Sequence, residues 1–129
     1  MAERPRTVLY IEDQPVNARL LSDIVNFLWG WSVDVRASAE EGIEQLSRKD
    51  YDLIYLDVNL PGLSGYDAAR RIRELARGRN TPIIAVTADA TSRARTNALD
   101  AGCNGYITKP LDIAKFKTLT EHLLGDEGE

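Results

Sequence analysis

The stretch Leu53-Ile54-Tyr55-Leu56-Asp57-Val58-Asn59-Leu60-Pro61-Gly62 decides the fold. Four apolar residues in a row mark a strand covered on both faces, as in a parallel sheet. Asp57 closes that run, and Pro61-Gly62 turns the chain. An acid at the end of a buried strand is poorly solvated, so it calls for a compensating partner. Other strand-like runs end in the same fashion. Glu12 and Asp13 follow Val8-Leu9-Tyr10-Ile11, Thr87 follows Ile83-Ile84-Ala85-Val86, and Lys109 follows Tyr106-Ile107-Thr108. Parallel neighbours would bring these groups to one edge of a sheet, with Asp57 at the centre.

Outward from this stretch, strand-like and helix-like segments alternate five times. The first strand spans Thr7 to Ile11 and is followed by a helix from Pro15 to Trp29, ended by Gly30. Val16, Leu20, Leu21, Ile24, Phe27 and Leu28 form its expected apolar stripe. The second strand, Ser32 to Arg36, is mixed in character. Ser38 and Glu41 then make a capping box for a helix facing inward through Ala39, Ile43 and Leu46. After the third strand, Leu53 to Leu56, a helix starts at Ser64 or Gly65 and is buried through Tyr66, Ala69, Ile72 and Ala76. The fourth strand is Pro82 to Val86. The fourth helix runs from Thr91 to Ala101 with a small inner face of Ala94, Ala98, Leu99 and Ala101. The fifth strand is Gly105 to Thr108, and Asp112 caps a last helix with the stripe Ile113, Phe116, Leu119 and Leu123.

Such alternation implies parallel strands joined by helical crossovers. Strands one, three and four are continuous apolar runs and belong inside; two and five are mixed and belong at the edges. The expected fold is α/β, a flavodoxin-like doubly wound five-stranded parallel sheet in the order 2-1-3-4-5 with five helices. In that order the topological switch point lies between strands one and three, beside Glu12, Asp13 and Asp57.

The 129 residues fit one domain, 1–129, with a core from about 7 to 124 and short polar tails; the last, Gly125 to Glu129, is acidic. Hydrophobic content of 43% and charged content of 28% are ordinary for a globular domain. A net charge of −4 argues against a nucleic-acid partner. The one cysteine, Cys103, permits no internal disulfide, and no apolar run approaches a membrane span or the middle of a signal peptide. A cytoplasmic chain with neither nucleic acid nor membrane as partner is expected.

Three packed carboxylates repel one another, and burial raises the cost. A divalent cation answers both problems. Mg2+ suits an oxygen-rich site that leaves several of its positions to water. Asp13 and Asp57 are candidate direct ligands, Glu12 could act through water, and the backbone carbonyl of Asn59 could contribute. A carboxylate can also act as a nucleophile and accept a phosphoryl group. Such transfer needs positioning and charge neutralisation more than covalent help. Lys109 offers the positive charge, and the Thr87 hydroxyl and Ala88 N–H offer hydrogen bonds.

These motifs resemble the receiver domain of two-component response regulators. The likeness rests on Glu12-Asp13, Asp57-Val58-Asn59-Leu60-Pro61-Gly62, Ala85-Val86-Thr87-Ala88 and Gly105-Tyr106-Ile107-Thr108-Lys109-Pro110. It runs from about Thr7 to Leu124. The resemblance implies that Asp57 accepts a phosphoryl group from a phosphohistidine on a histidine kinase or histidine phosphotransfer protein. It implies a Mg2+ site at Glu12, Asp13, Asp57 and Asn59, and a Lys109 that pairs with the phosphoryl group. Thr87 and Tyr106 would act as switch residues, the Lys109-Pro110 bond would be cis, and Asn59 and Asp89 would tune dephosphorylation. The face made by the fourth helix, fifth strand and fifth helix would then change its binding of a downstream effector protein.

The run Glu12-Asp13-Gln14-Pro15-Val16-Asn17 is similar to receivers attached to hybrid histidine kinases, so a stand-alone regulator and an excised receiver both fit. No output domain is expected in this chain. Two other classes compete. An Asp-nucleophile phosphatase or phosphotransferase needs a second acid two residues after the nucleophile, where this chain has Asn59. A non-phosphorylated interaction module would not need the acids at all. His122 is expected at the surface, Cys103 in apolar packing, and Arg70, Arg71, Arg73, Arg77 and Arg79 on a solvated face of the third helix. Trp29 and Trp31 are expected between the first helix and second strand, with a docking surface as their other use.

Overall fold

A computed structural model describes residues 5–125. The expected tails, residues 1–4 and most of the acidic end, lie outside that span. Five parallel strands form one sheet in the order β2-β1-β3-β4-β5: β1 (Thr7–Ile11), β2 (Ser32–Arg36), β3 (Leu53–Asp57), β4 (Ile83–Thr87) and β5 (Gly105–Thr108). The helices are α1 (Pro15–Trp29), α2 (Ala39–Leu46), α3 (Gly65–Glu74), α4 (Ser92–Asp100) and α5 (Ile113–Leu124).

Two apolar layers flank the sheet. Leu9, Ile11, Ile54, Leu56, Ile83 and Ala85 pack against α2, α3 and α4. Val8, Tyr10, Leu53, Tyr55, Ile84 and Val86 pack against α1 and α5. Alternate residues of each inner strand thus serve opposite layers, which is why those strands read as unbroken apolar runs. In register, Ile11 pairs with Leu56, Asp57 with Val86 and Thr87 with Thr108. All the strand ends singled out above therefore lie along one edge.

Local chemistry sets the helix ends. Ser38, Ser64, Thr91 and Asp112 each accept a hydrogen bond from a backbone N–H of the first turn they cap. Glu41 departs from a capping box, because its carboxylate reaches the N–H of Ala37 and not that of Ser38. Gly30 ends α1 in the left-handed region at φ 72°.

Several expected inner faces differ. In α1 the buried residues are Ala18, Leu21 and Val25, whereas Val16 is 79% and Phe27 87% exposed, with Leu20 at 51%. The helix carries two overlapping apolar stripes, and the one holding the smaller Ala18 fits closer to the sheet. Helix α3 stops at Glu74, which leaves Ala76 exposed beyond its end. Leu99 and Ile113 are about half exposed, because α4 and α5 contact the sheet chiefly through Ala94, Ala98 and Phe116.

Candidate functional site

The carboxyl ends of β1 and β3 bring Glu12, Asp13 and Asp57 together, with one oxygen of each within 4.8 Å of the others. Asp57 and Glu12 are almost fully buried, and Asp13 is half-buried. Main-chain ladders fix the backbone beneath them. Glu12 N–H donates to Arg36 O at 2.9 Å, Val58 N–H to Val86 O at 3.2 Å, and Lys109 N–H to Thr87 O at 2.7 Å.

Lys109 extends from the end of β5 into this cluster. Its Nζ lies 3.1 Å from Glu12 Oε1 and 3.3 Å from Asp57 Oδ2. The other Asp57 oxygen, Oδ1, accepts the backbone N–H of Asn59 at 2.9 Å. Burial, followed by the contact with Asp57, raises the Glu12 carboxyl above the usual carboxylate range. The Gln14 N–H and Tyr10 hydroxyl, at 3.1 Å and 2.9 Å, pull it the other way. Burial works against the Lys109 ammonium, but hydrogen bonding to Glu12 and the charge of Asp57 more than offset it, so its pKa is raised.

Thr87 is buried at the end of β4, and its Oγ1 accepts the N–H of Asp89 at 3.1 Å. Asp89 is exposed; its Oδ1 accepts the N–H of Thr91 at 2.9 Å. That bond comes first among the causes that lower its pKa. Tyr106 is half-buried on β5, and its hydroxyl donates to the backbone carbonyl of Asp89. One loop thus touches both Thr87 and Tyr106. Ala88 and Asn59 are exposed at the rim, and the Lys109-Pro110 peptide is cis.

Tyr10 is a participant that sequence reading passed over. It lies two residues before Glu12, so a strand's period of two sends both side chains to one face. Burial, then Glu12, raise its phenol far above the usual value, which keeps it a proton donor to the carboxylate. Gly65 is required at the start of α3: a Cβ there would stand 2.4 Å from Val58 Cα and 2.6 Å from Asp57 O. Its absence lets the helix seat directly against the loop that carries Asp57.

The clustered acids thus lie at the switch point of a doubly wound parallel sheet, where such folds bind ligands, with a hydroxyl and an ammonium at the neighbouring strand ends. The chain belongs to the response regulator receiver domain family, whose model matches residues 8–121. It is 37% identical over 109 residues to the uncharacterized transcriptional regulatory protein YkoG of Bacillus subtilis, covering 84% of this chain and 46% of that protein. It is 35% identical over 115 residues to the sensor histidine kinase RcsC of Escherichia coli, covering 88% of this chain and 12% of that one. The chain therefore spans about half or less of the length of these curated relatives. Among solved structures, the receiver domain of sensor histidine kinase PA1611 from Pseudomonas aeruginosa is similar at a TM-score of 0.86 and 36% identity. That match covers 95% of this chain and 99% of that one, and that receiver holds a magnesium ion in its active-site cleft. A response regulator from Chloroflexus aurantiacus is similar at a TM-score of 0.89 and 29% identity, covering 95% of this chain and 99% of the other.

Proposed function

We propose that this receiver accepts a phosphoryl group on Asp57 and signals through the face formed by α4, β5 and α5. The observation that carries the reading is the shared ammonium: among the described residues, Lys109 alone bridges Glu12 and Asp57 within a set of three crowded carboxylates. That donor set is short of positive charge, which fits a hard divalent cation. Asp13, Asp57 and the Asn59 carbonyl would hold Mg2+, with Glu12 acting through water. When bound, Mg2+ would neutralise phosphoryl oxygens during transfer.

The donor is a phosphohistidine on a histidine kinase or histidine phosphotransfer protein. An Asp57 oxygen forms its bond to phosphorus as the N–P bond breaks. The electron pair returns to the imidazole, which takes up a proton. Lys109 moves its hydrogen bond from Asp57 onto a phosphoryl oxygen, and the Ala88 N–H and Thr87 hydroxyl supply two more donors. Thr87 moves toward the phosphoryl oxygen as it donates, and that movement draws its Oγ1 from the Asp89 N–H and loosens the loop that also holds Tyr106. A downstream effector reads that change. Asn59 and Asp89 flank the acyl phosphate and set its lifetime; an Asp89→Ala chain that loses phosphoryl at an unchanged rate removes Asp89 from this role.

The chain, read as one domain with a core of about 7–124, catalyses only its own phosphorylation and dephosphorylation, and it acts in the cytoplasm. Asn59 disfavours the hydrolase alternative, because it stands where that chemistry needs a second acid. The test is intact-mass measurement after incubation with Mg2+ and acetyl phosphate. One labile phosphoryl adduct, absent in Asp57→Asn, is expected. The reading fails if no donor gives an adduct and Mg2+ does not bind.

A further inference from the structure

Tyr10 of β1 and Tyr55 of β3 are buried in the same apolar layer, and their hydroxyls are used differently. A buried phenol needs a hydrogen-bond partner. Tyr55 finds one outside the acidic cluster, in Thr120 Oγ1 of α5 at 2.6 Å. Tyr10 instead donates to Glu12 Oε1 at 2.9 Å.

That oxygen is also the one that Lys109 uses. Lys109 Nζ lies 3.1 Å from Glu12 Oε1 and 3.3 Å from Asp57 Oδ2. Glu12 Oε2 accepts the Gln14 N–H at 3.1 Å. A carboxylate oxygen offers two lone pairs, so the phenol and the ammonium between them fill Oε1. The Glu12 side chain is fully buried, so solvent does not share in balancing its charge.

Packing, not Glu12, sets the position of the phenol. The Tyr10 ring meets Tyr55 edge to face, with centroids 6.3 Å apart and planes at 82°. Tyr55 in turn stacks on Phe116 of α5 at 5.0 Å. A donor held in this way fixes the carboxylate that it meets. Lys109 is less confined. Its side chain is partly exposed and borders a small cavity of about 50 Å³ with Tyr10, Asn17, Leu20, Val86 and Leu111. The ammonium has room to move, whereas Glu12 does not.

Without the phenol, one lone pair of a buried carboxylate would stand open beside a mobile cation. Lys109 would close on Glu12 and withdraw from Asp57. We propose that Tyr10 is a positioning residue for phosphoryl transfer: by occupying Glu12 Oε1 it limits the hold of Glu12 on Lys109 and leaves the ammonium shared with Asp57. The role in transfer rests on the phosphoacceptor reading; the hold on Lys109 in the resting chain does not.

Tyr10→Phe keeps the ring and removes only the hydroxyl. The ammonium signal of Lys109, read by NMR in the isotope-labelled full chain without metal, reports the resting geometry. It is expected to shift in Tyr10→Phe while the signals of Lys49, Lys115 and Lys117 stay. In a Glu12→Gln background, which removes the charge that draws Lys109, the same substitution is expected to leave it in place. Phosphorylation by acetyl phosphate at saturating Mg2+ is expected to slow roughly tenfold, the effect of one hydrogen bond to a charged group. Mg2+ affinity, measured by calorimetry, is expected to be unchanged. An unmoved Lys109 signal overturns the proposal, as does a moved signal with an unchanged rate. A rate loss matched by weaker Mg2+ binding also overturns it, because Tyr10 would then only pack the site. A moved signal in a chain whose parent forms no adduct sinks the phosphoacceptor reading and leaves the hold on Lys109.

Discussion

At the carboxyl ends of β1 and β3, three carboxylates draw on one ammonium, that of Lys109. At the amino ends of β4 and β5, one guanidinium sits among several carbonyls. Arg73 donates from Nη1 to Gly78 O and Thr81 O at 2.7 and 2.6 Å, from Nε to Gly102 O at 2.9 Å, and from Nη2 to Asn104 Oδ1 at 2.6 Å. Asn104 in turn accepts the N–H of Ile83, the first residue of β4. One end of the sheet holds an excess of negative charge that Lys109 only partly offsets, while the other has loop carbonyls satisfied by Arg73. The contrast teaches which end stores chemistry and which end stores stability, and each claim can be broken separately.

The largest expected effect is at the charged end. Asp57→Asn should abolish the phosphoryl adduct in intact-mass measurements. Because it removes one of three repelling acids, it should leave unfolding in urea unchanged or shifted to higher stability by about 1 kcal/mol. A clear loss of stability would mean that this end is structural after all. Arg73→Met tests the other end. It leaves several half-buried carbonyls without their donor, so a loss of about 2 kcal/mol is expected, with the adduct still formed at the normal stoichiometry. A Cβ on Gly102, which has φ 108°, would come 2.9 Å from Arg73 Cγ, so neighbour and guanidinium are fitted as a pair.

The difference between the ends also explains what could be read in the sequence. The strands and their order were legible because apolar runs of four or five residues have one physical use inside an α/β sheet. The site was legible because Asp57, Thr87 and Lys109 each interrupt such a run at its end. Arg73 was not, since an arginine among Arg70, Arg71 and Arg77 has the composition of a solvated face. Its signal was positional: it lies in the last turn of α3, one residue from the end, ahead of a loop whose carbonyls need donors. Half of the α1 stripe holds, since Leu21, Ile24 and Leu28 pack against the core while Val16, Leu20 and Phe27 do not. Apolar spacing cannot tell which of two overlapping stripes meets the sheet. Exposed Val16 and Phe27 have the same hydropathy as buried residues.

Gly65→Ala probes where the two roles meet, since its added methyl would push on Val58 and Asp57 backbone atoms. A loss of about 1–3 kcal/mol is expected together with slower phosphorylation by acetyl phosphate. A stability loss with no kinetic change would show that Asp57 tolerates movement of its loop. A smaller effect concerns pH. Tyr51 donates to Asp34 Oδ2, which also takes Lys49 Nζ at 2.9 Å. Burial, then Asp34, push the Tyr51 phenol up to about 12. Burial opposes the Asp34 charge, but the bonds from Tyr51 and Lys49 hold its carboxyl below the usual range. The phenol's contribution is whole below its ordinary value near 10 and is lost as pH rises through about 12. The carboxylate's is whole above the ordinary value near 4 and is lost as pH falls through its lowered folded value. Tyr51→Phe should therefore flatten part of the alkaline loss in urea titrations; an identical alkaline slope would discount the pair.

The smallest expected effect tests whether the two ends are independent. Trp29 and Trp31 stack with centroids 4.4 Å apart at the lower ends of α1 and β2, and the Trp29 Nε1–H donates to Glu121 Oε2 at 2.9 Å. That bond joins the ends of α1 and α5. In Trp29→Phe the ring still covers Trp31, and the half-buried Glu121 keeps Lys117 as a partner, so the loss should stay below about 1 kcal/mol. The Glu121 carboxyl, lowered first by this bond and next by Lys117, should move back up toward its ordinary value. If both hold while phosphorylation by acetyl phosphate is unchanged, the lower clasp only fastens helices. A changed phosphorylation rate with the same small stability loss would instead show that α1 and α5 carry strain from one end of the sheet to the other, and the division between them would fall.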